Sequence, residues 1–156
     1  YPTYGSSRTS RARNYFVTDG AGPEDWTALY AGNFLSSIQV LFCPAMKSKT
    51  HQFNTPQNDW STGTMRTCYS RRFLPADGDG LTRVGNVGNG RVLAADLLVG
   101  PAQLVYQHGD GVNVLYADGI VQFRRDVESL FARAGVAGGK SPSNGQLDEV
   151  WNGLDR

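Results

Sequence analysis

The sequence predicts an α+β fold, an antiparallel sheet with short flanking helices. Three observations predict it. Two short β-rich runs flank Asp118-Gly119, a residue pair that closes tight hairpins because both members tolerate positive φ. Two segments near the C-terminus, 126–134 and 146–154, carry apolar residues at helical spacing. Only 19% of the residues are charged, against about 25% in a typical soluble domain, and 19 are glycine, a composition suited to a loop-rich, sheet-bearing chain rather than a helical bundle. At 156 residues the chain fits a single domain, 1–156, that buries roughly 70% of its unfolded surface without needing a metal or a disulfide lattice.

Residues 1–19 read as an extended, solvated arm rich in Arg, Ser and Thr, with a short strand at Tyr15–Val17. Gly22-Pro23-Glu24-Asp25 opens a helix: Pro suits the first helical position, and acids in the first turn complement the helix dipole. Trp26, Leu29 and Tyr30 give it one apolar face, Gly32-Asn33 stops it, and Phe34–Ser37 adds a short turn. Ile38–Phe42 reads as a buried strand ending at Cys43-Pro44. Residues 45–67 read as a long polar loop, and loops of that length in compact domains are usually functional or variable. Cys68–Leu74 returns as a strand, and Pro75–Gly80 is a turn. Asp77 and Asp79 there resemble the opening of a calcium loop but lack its glutamate, which leaves an Asp-Gly turn.

Gly85–Gly90 is Gly-rich without the lysine of a phosphate loop, and reads as a turn. Arg91–Leu98 is apolar on both faces, as a central strand is, with Asp96 its single acid. Asn113–Tyr116 and Ile120–Phe123 form the hairpin; Val112, Val114 and Tyr116 share one face, and Val121 and Phe123 share one across the turn. The C-terminal extension 125–156 is helical. Its first helix, Asp126–Ala134, is ended by Gly135, and a Gly/Ser connection leads to a second at Gln146–Leu154 with Leu147, Val150, Trp151 and Leu154 inward.

Composition and motif content exclude several function classes. A net charge of +1 does not supply the basic face that a nucleic-acid binder needs, so no nucleic-acid partner is expected. The apolar runs Val92–Ala95 and Ile38–Cys43 fall far short of the ~20 residues that span a bilayer, and no signal peptide opens the chain. It begins at Tyr1 rather than Met, which suggests a processed or trimmed form. Two cysteines, Cys43 and Cys68, cannot close a four-ligand zinc site; whether they pair or stay as buried thiols is not decided by spacing.

No catalytic set is evident, and neither an enzyme nor a cofactor is expected. Of the two histidines, His51 lies in the polar loop and reads as exposed. His108 precedes a Gly-Asp-Gly turn and the hairpin, where it can either pin the loop by a hydrogen bond or join Asp96 and Asp110 as a weak metal-ligand candidate.

His108, nine residues, then Asp118-Gly119 resembles the signature of the H-X9-DG class of prepilin-type bacterial proteins. The block Gly111–Phe123 is similar to that family's hairpin, Val92–Leu98 to its preceding strand, Leu41–Ala45 to its Cys-Pro segment, and Cys68-Tyr69 to its Ser/Cys-Tyr element. Trp26 lies upstream as in the family, and Tyr1-Pro2 resembles the Tyr-Pro after its long N-terminal helix, so the likeness covers most of residues 1–124 in order. The resemblance implies a pilin-like head whose long N-terminal helix is absent from this chain, with membrane contact only through that helix. It also implies an oxidising compartment in which Cys43 and Cys68 pair, a loop closure worth about 3.5 kcal/mol in the chain-entropy model.

The expected function is therefore a structural subunit of an extracellular or cell-surface pilus, pseudopilus or secretion apparatus. It would act by self-assembly, with copies of itself or other pilin-like subunits as partners. Tyr1, Tyr4, Trp60 and Trp151 are candidate contact residues, as anchoring aromatics often are. The alternative is a cell-surface binding module that stacks a glycan, or docks a secreted protein, on Trp26, Trp60 or Trp151.

Overall fold

The computed structural model describes residues 16–19, 26, 29–30, 32–59, 64–72, 84–104, 108–138 and 140–156. The 1–15 arm with Tyr1 and Tyr4, the helix start at 22–25, Trp60 and the 75–80 turn lie outside them.

Among the described residues, two antiparallel sheets carry the fold. Strands β1 (Phe16–Asp19) and β2 (Thr64–Arg66) pair with each other, with an irregular register between Phe16 and Thr18. The larger sheet runs β3 (Tyr69–Arg71), β4 (Val92–Asp96), β5 (Val112–Tyr116) and β6 (Val121–Arg124), in chain order and antiparallel throughout. Helices α1 (Pro101–Leu104), α2 (Val127–Arg133) and α3 (Asn144–Leu154) complete it. No helix among the described residues is long and apolar enough to cross a membrane.

The hairpin forms where the sequence places it. Gly119 adopts φ +83°, and the Asp118 side chain accepts from the Ile120 N–H at 3.0 Å. Leu115 then faces Val121, and Asn113 faces Phe123. Alternation along β5 turns Val112, Val114 and Tyr116 inward, all at 0% exposure. A shift in register between Val92 and Ala94 lets β4 send both Val92 and Ala95 to the same core.

Helices α2 and α3 cover that face. Leu130, Phe131, Leu147, Val150, Trp151 and Leu154 join the strand residues in one cluster. Gly135 at φ +71° ends α2, and Ser143 caps α3 in a reciprocal box with Gln146. Trp151, expected as a surface anchor, is 2% exposed, because the apolar stripe of α3 places it on the sheet. Arg72 and Asp155 tie the end of α3 to the sheet: Arg72 Nη1 lies 2.5 Å from Asp155 Oδ1, which also accepts from the Val92 N–H at 2.9 Å.

Ile38–Leu41 is a 3-10 helix rather than the expected strand, and Phe34–Ser37 is not helical. Ser37 caps the 3-10 turn by accepting from Gln39 N at 3.2 Å. Leu41 is buried while Val40 is 53% exposed, an unequal burial that an apolar run alone does not reveal. The 45–67 loop contributes β2 and is organised around buried Asn58. Its Nδ2 donates to Gln52 O at 2.9 Å and Arg66 O at 2.8 Å, and its Oδ1 accepts from Arg66 N at 2.7 Å.

His51, expected at the surface, is 8% exposed, because the loop folds back and its Nδ1–H donates to Thr67 O at 3.0 Å. Burial, the dominant cause, pushes its pKa from 6.5 down to about 4. The folded protein therefore holds His51 neutral where the unfolded chain protonates. Its contribution is full above pH 6.5 and is lost as pH falls toward 4, about 3 kcal/mol in all. Urea denaturation across that window should show this loss, and His51→Gln should flatten it; an unchanged slope in the variant would contradict the assignment.

Candidate functional site

The face of the sheet opposite α2 and α3 lines an apolar groove of about 630 Å³. Its floor is Tyr69, Ala94, Leu115 and Val121, and its walls include Trp26, Leu29, Leu35 and Val40. The alternation that buries Val112 and Val114 sends Asn113 and Leu115 to this side, as it sends Asp96 from β4.

One end of the groove is polar, and three side chains from distant segments meet there. His108 Nε2 lies 3.3 Å from Asp96 Oδ2 and 3.7 Å from Cys43 Sγ. Asp96 is 1% exposed and is held by β5: its Oδ2 accepts from Asn113 N at 2.6 Å and Asn113 Nδ2 at 3.0 Å. Burial pushes the Asp96 carboxyl above its usual range, and the Asn113 bonds and His108 oppose that rise. The His108 ring stands edge-on to Phe123, with centroids 6.3 Å apart. His108 thus pins the approach to the hairpin by its contact with Asp96 at the end of β4.

The two halves of the His-to-Asp-Gly spacing serve different places. Asp118 sits at the hairpin tip, bonded to the Ile120 N–H and to the Arg156 guanidinium, which stacks 4.0 Å over the Tyr116 ring. Both the turn bond and Arg156 hold its carboxyl below the usual range. Asp110 does not join His108 and Asp96: it is exposed and pairs with Arg125 at 3.1 Å. Among the described residues no group of three or more His, Cys, Asp or Glu side chains is placed to hold a metal ion.

No disulfide joins Cys43 and Cys68. The two sulfurs have different partners: Cys68 Sγ meets the Cys43 backbone N–H at 2.5 Å, whereas Cys43 Sγ turns to His108. Burial pushes the Cys68 thiol up to about 12. Both pack with Met46 and Leu97 in a small core beside the groove.

Sequence reasoning singled out His108 and Asp96 as neighbours but missed Cys43 as the third member. The Cys43–His108 approach crosses 65 positions of chain, and no local pattern carries it. Against protein-family models, curated proteins and solved structures, the chain finds no match.

Proposed function

We propose that the chain is the head of a pilin-like or pseudopilin-like subunit of a cell-surface filament or secretion apparatus, and that it works by self-assembly. The observation that carries this reading is the apolar sheet face turned away from the helices. Leu115 is 36% exposed, Val121 62% and Val40 53%, and all three border one groove. Contiguous apolar surface of this kind marks interaction sites more often than scattered exposed residues do. The ordered motifs between Tyr1 and Phe123 point the same way. In this reading the core of α2 and α3 stabilises the head, and the opposite face meets a neighbouring subunit.

Electron microscopy of surface material from the source cells, with labelling against this chain, tests the reading. Wild-type chain is expected in filaments. A Leu115→Asp/Val121→Asp double variant is expected to fold as a monomer and to be left out of them. Source cells without filaments, together with dispersed wild-type monomers at high concentration, would overturn the proposal.

A further inference from the structure

We propose that Cys43 is a thiol-acylation site that takes a long-chain acyl group from an acyl thioester. Three features converge on it. Its sulfur is 3.7 Å from His108 Nε2, and the Asp96 carboxylate is 3.3 Å from that same nitrogen. Asp96 is fixed by two bonds from Asn113, so the acid is positioned before any ligand arrives. Beside the trio opens the apolar groove, about 630 Å³, within the roughly 300–1,000 Å³ range of small-molecule sites.

Each part has a chemical task. The groove takes an acyl chain along Leu35, Val40, Leu115 and Val121 and leaves the thioester carbonyl at the polar end. With His108 in its Nδ1–H tautomer, Nε2 accepts the thiol proton as Cys43 Sγ attacks that carbonyl carbon. The new Nε2–H then donates to Asp96 Oδ2, 3.3 Å from the same nitrogen. The donor's C–S bond then breaks, and the departing thiolate recovers the proton from His108. One thioester forms and one is consumed, so the exchange needs no oxidant, reductant or nucleotide. Cys68 is not equipped for this step: it is fully buried, with its thiol pushed up to about 12, and only the thiolate is an effective nucleophile.

The site does not rest on the assembly reading, because acylation is read on dispersed monomer. The test incubates the full chain with palmitoyl-coenzyme A, below its micellar concentration, or with acetyl-coenzyme A, followed by intact-mass and peptide-mapping mass spectrometry. One hydroxylamine-labile palmitoyl adduct on Cys43 is expected, formed at least about tenfold faster than the acetyl adduct. Cys43→Ser should abolish it, and His108→Gln should slow it by about tenfold or more. Val40 lies at the exposed rim of the groove, so Val40→Glu should fold normally and lower the palmitoyl rate by a larger factor than the acetyl rate. The proposal is overturned by no adduct on folded wild type, by adducts on Cys68 or lysine instead, by equal palmitoyl and acetyl rates, or by undiminished palmitoylation in Val40→Glu.

Discussion

Trp151→Ala is expected to destabilise the protein by about 3–5 kcal/mol, the range for truncating a large buried aromatic. Trp151 is 2% exposed and lies in the cluster that joins α3 to β4 and β5. Removing the indole leaves a cavity between helix and sheet, and the sheet, held by three ladders, does not collapse into it. For a chain of this size the loss corresponds to a fall in Tm of roughly 6–20 °C. Thermal unfolding followed by circular dichroism measures it. Phe34→Ala is the control: Phe34 is 79% exposed, and its truncation should change stability by less than about 0.5 kcal/mol. Equal small effects from both variants would mean that α3 does not dock as described.

Asp155→Ala is the second large effect, for an electrostatic reason. Asp155 accepts from Arg72 Nη1, Arg91 Nη1 and the Val92 N–H. The Arg91 pair is 43% exposed on the arginine side and contributes little. Arg72 has a side-chain exposure of 5%, and deleting Asp155 removes the carboxylate that its poorly solvated guanidinium meets at 2.5 Å, while its bond to Asn152 Oδ1 stays. Breaking a buried pair from one side costs about 3–5 kcal/mol. Asp155→Asn keeps an acceptor for Val92 and should lose less. Arg72→Met combined with Asp155→Ala should recover part of the loss, since the buried guanidinium is then gone. Urea denaturation of wild type, Arg72→Met, Asp155→Ala and the double variant reads the coupling, and strict additivity of the two single variants would refute it.

The hairpin, β4 and the helices α2 and α3 were legible because each depends on local signals. Asp118-Gly119 sets a turn within its own four residues, and Leu147, Val150, Trp151 and Leu154 declare a helical face by spacing alone. The misreadings share a different cause. Ile38–Leu41 is apolar enough for a strand, but Ser37 capping and unequal burial make it a 3-10 turn. His51 sits in a polar stretch, yet its environment is set by Thr67, which lies 16 positions away. The helical face that placed Trp151 inward was in view, and only its assignment as a contact residue ran against it. The candidate site was half legible: Asp96 and His108 both lie shortly before the hairpin in sequence, whereas Cys43 arrives from the far side of a loop that only tertiary packing folds back.

The clustering of the core on the last two helices has a consequence for synthesis. The four-stranded sheet is complete in sequence at Arg124, but its inward face, Val92, Val112, Val114 and Tyr116, is covered by side chains as late as Leu154. Chains emerge N-terminus first, at about 5–20 residues per second. A nascent sheet therefore waits, apolar on both faces, for the ribosome to deliver its cover. The vulnerable interval falls between the hairpin and α3, and the Gly/Ser-containing link before Asn144 governs how soon the cover can swing into place.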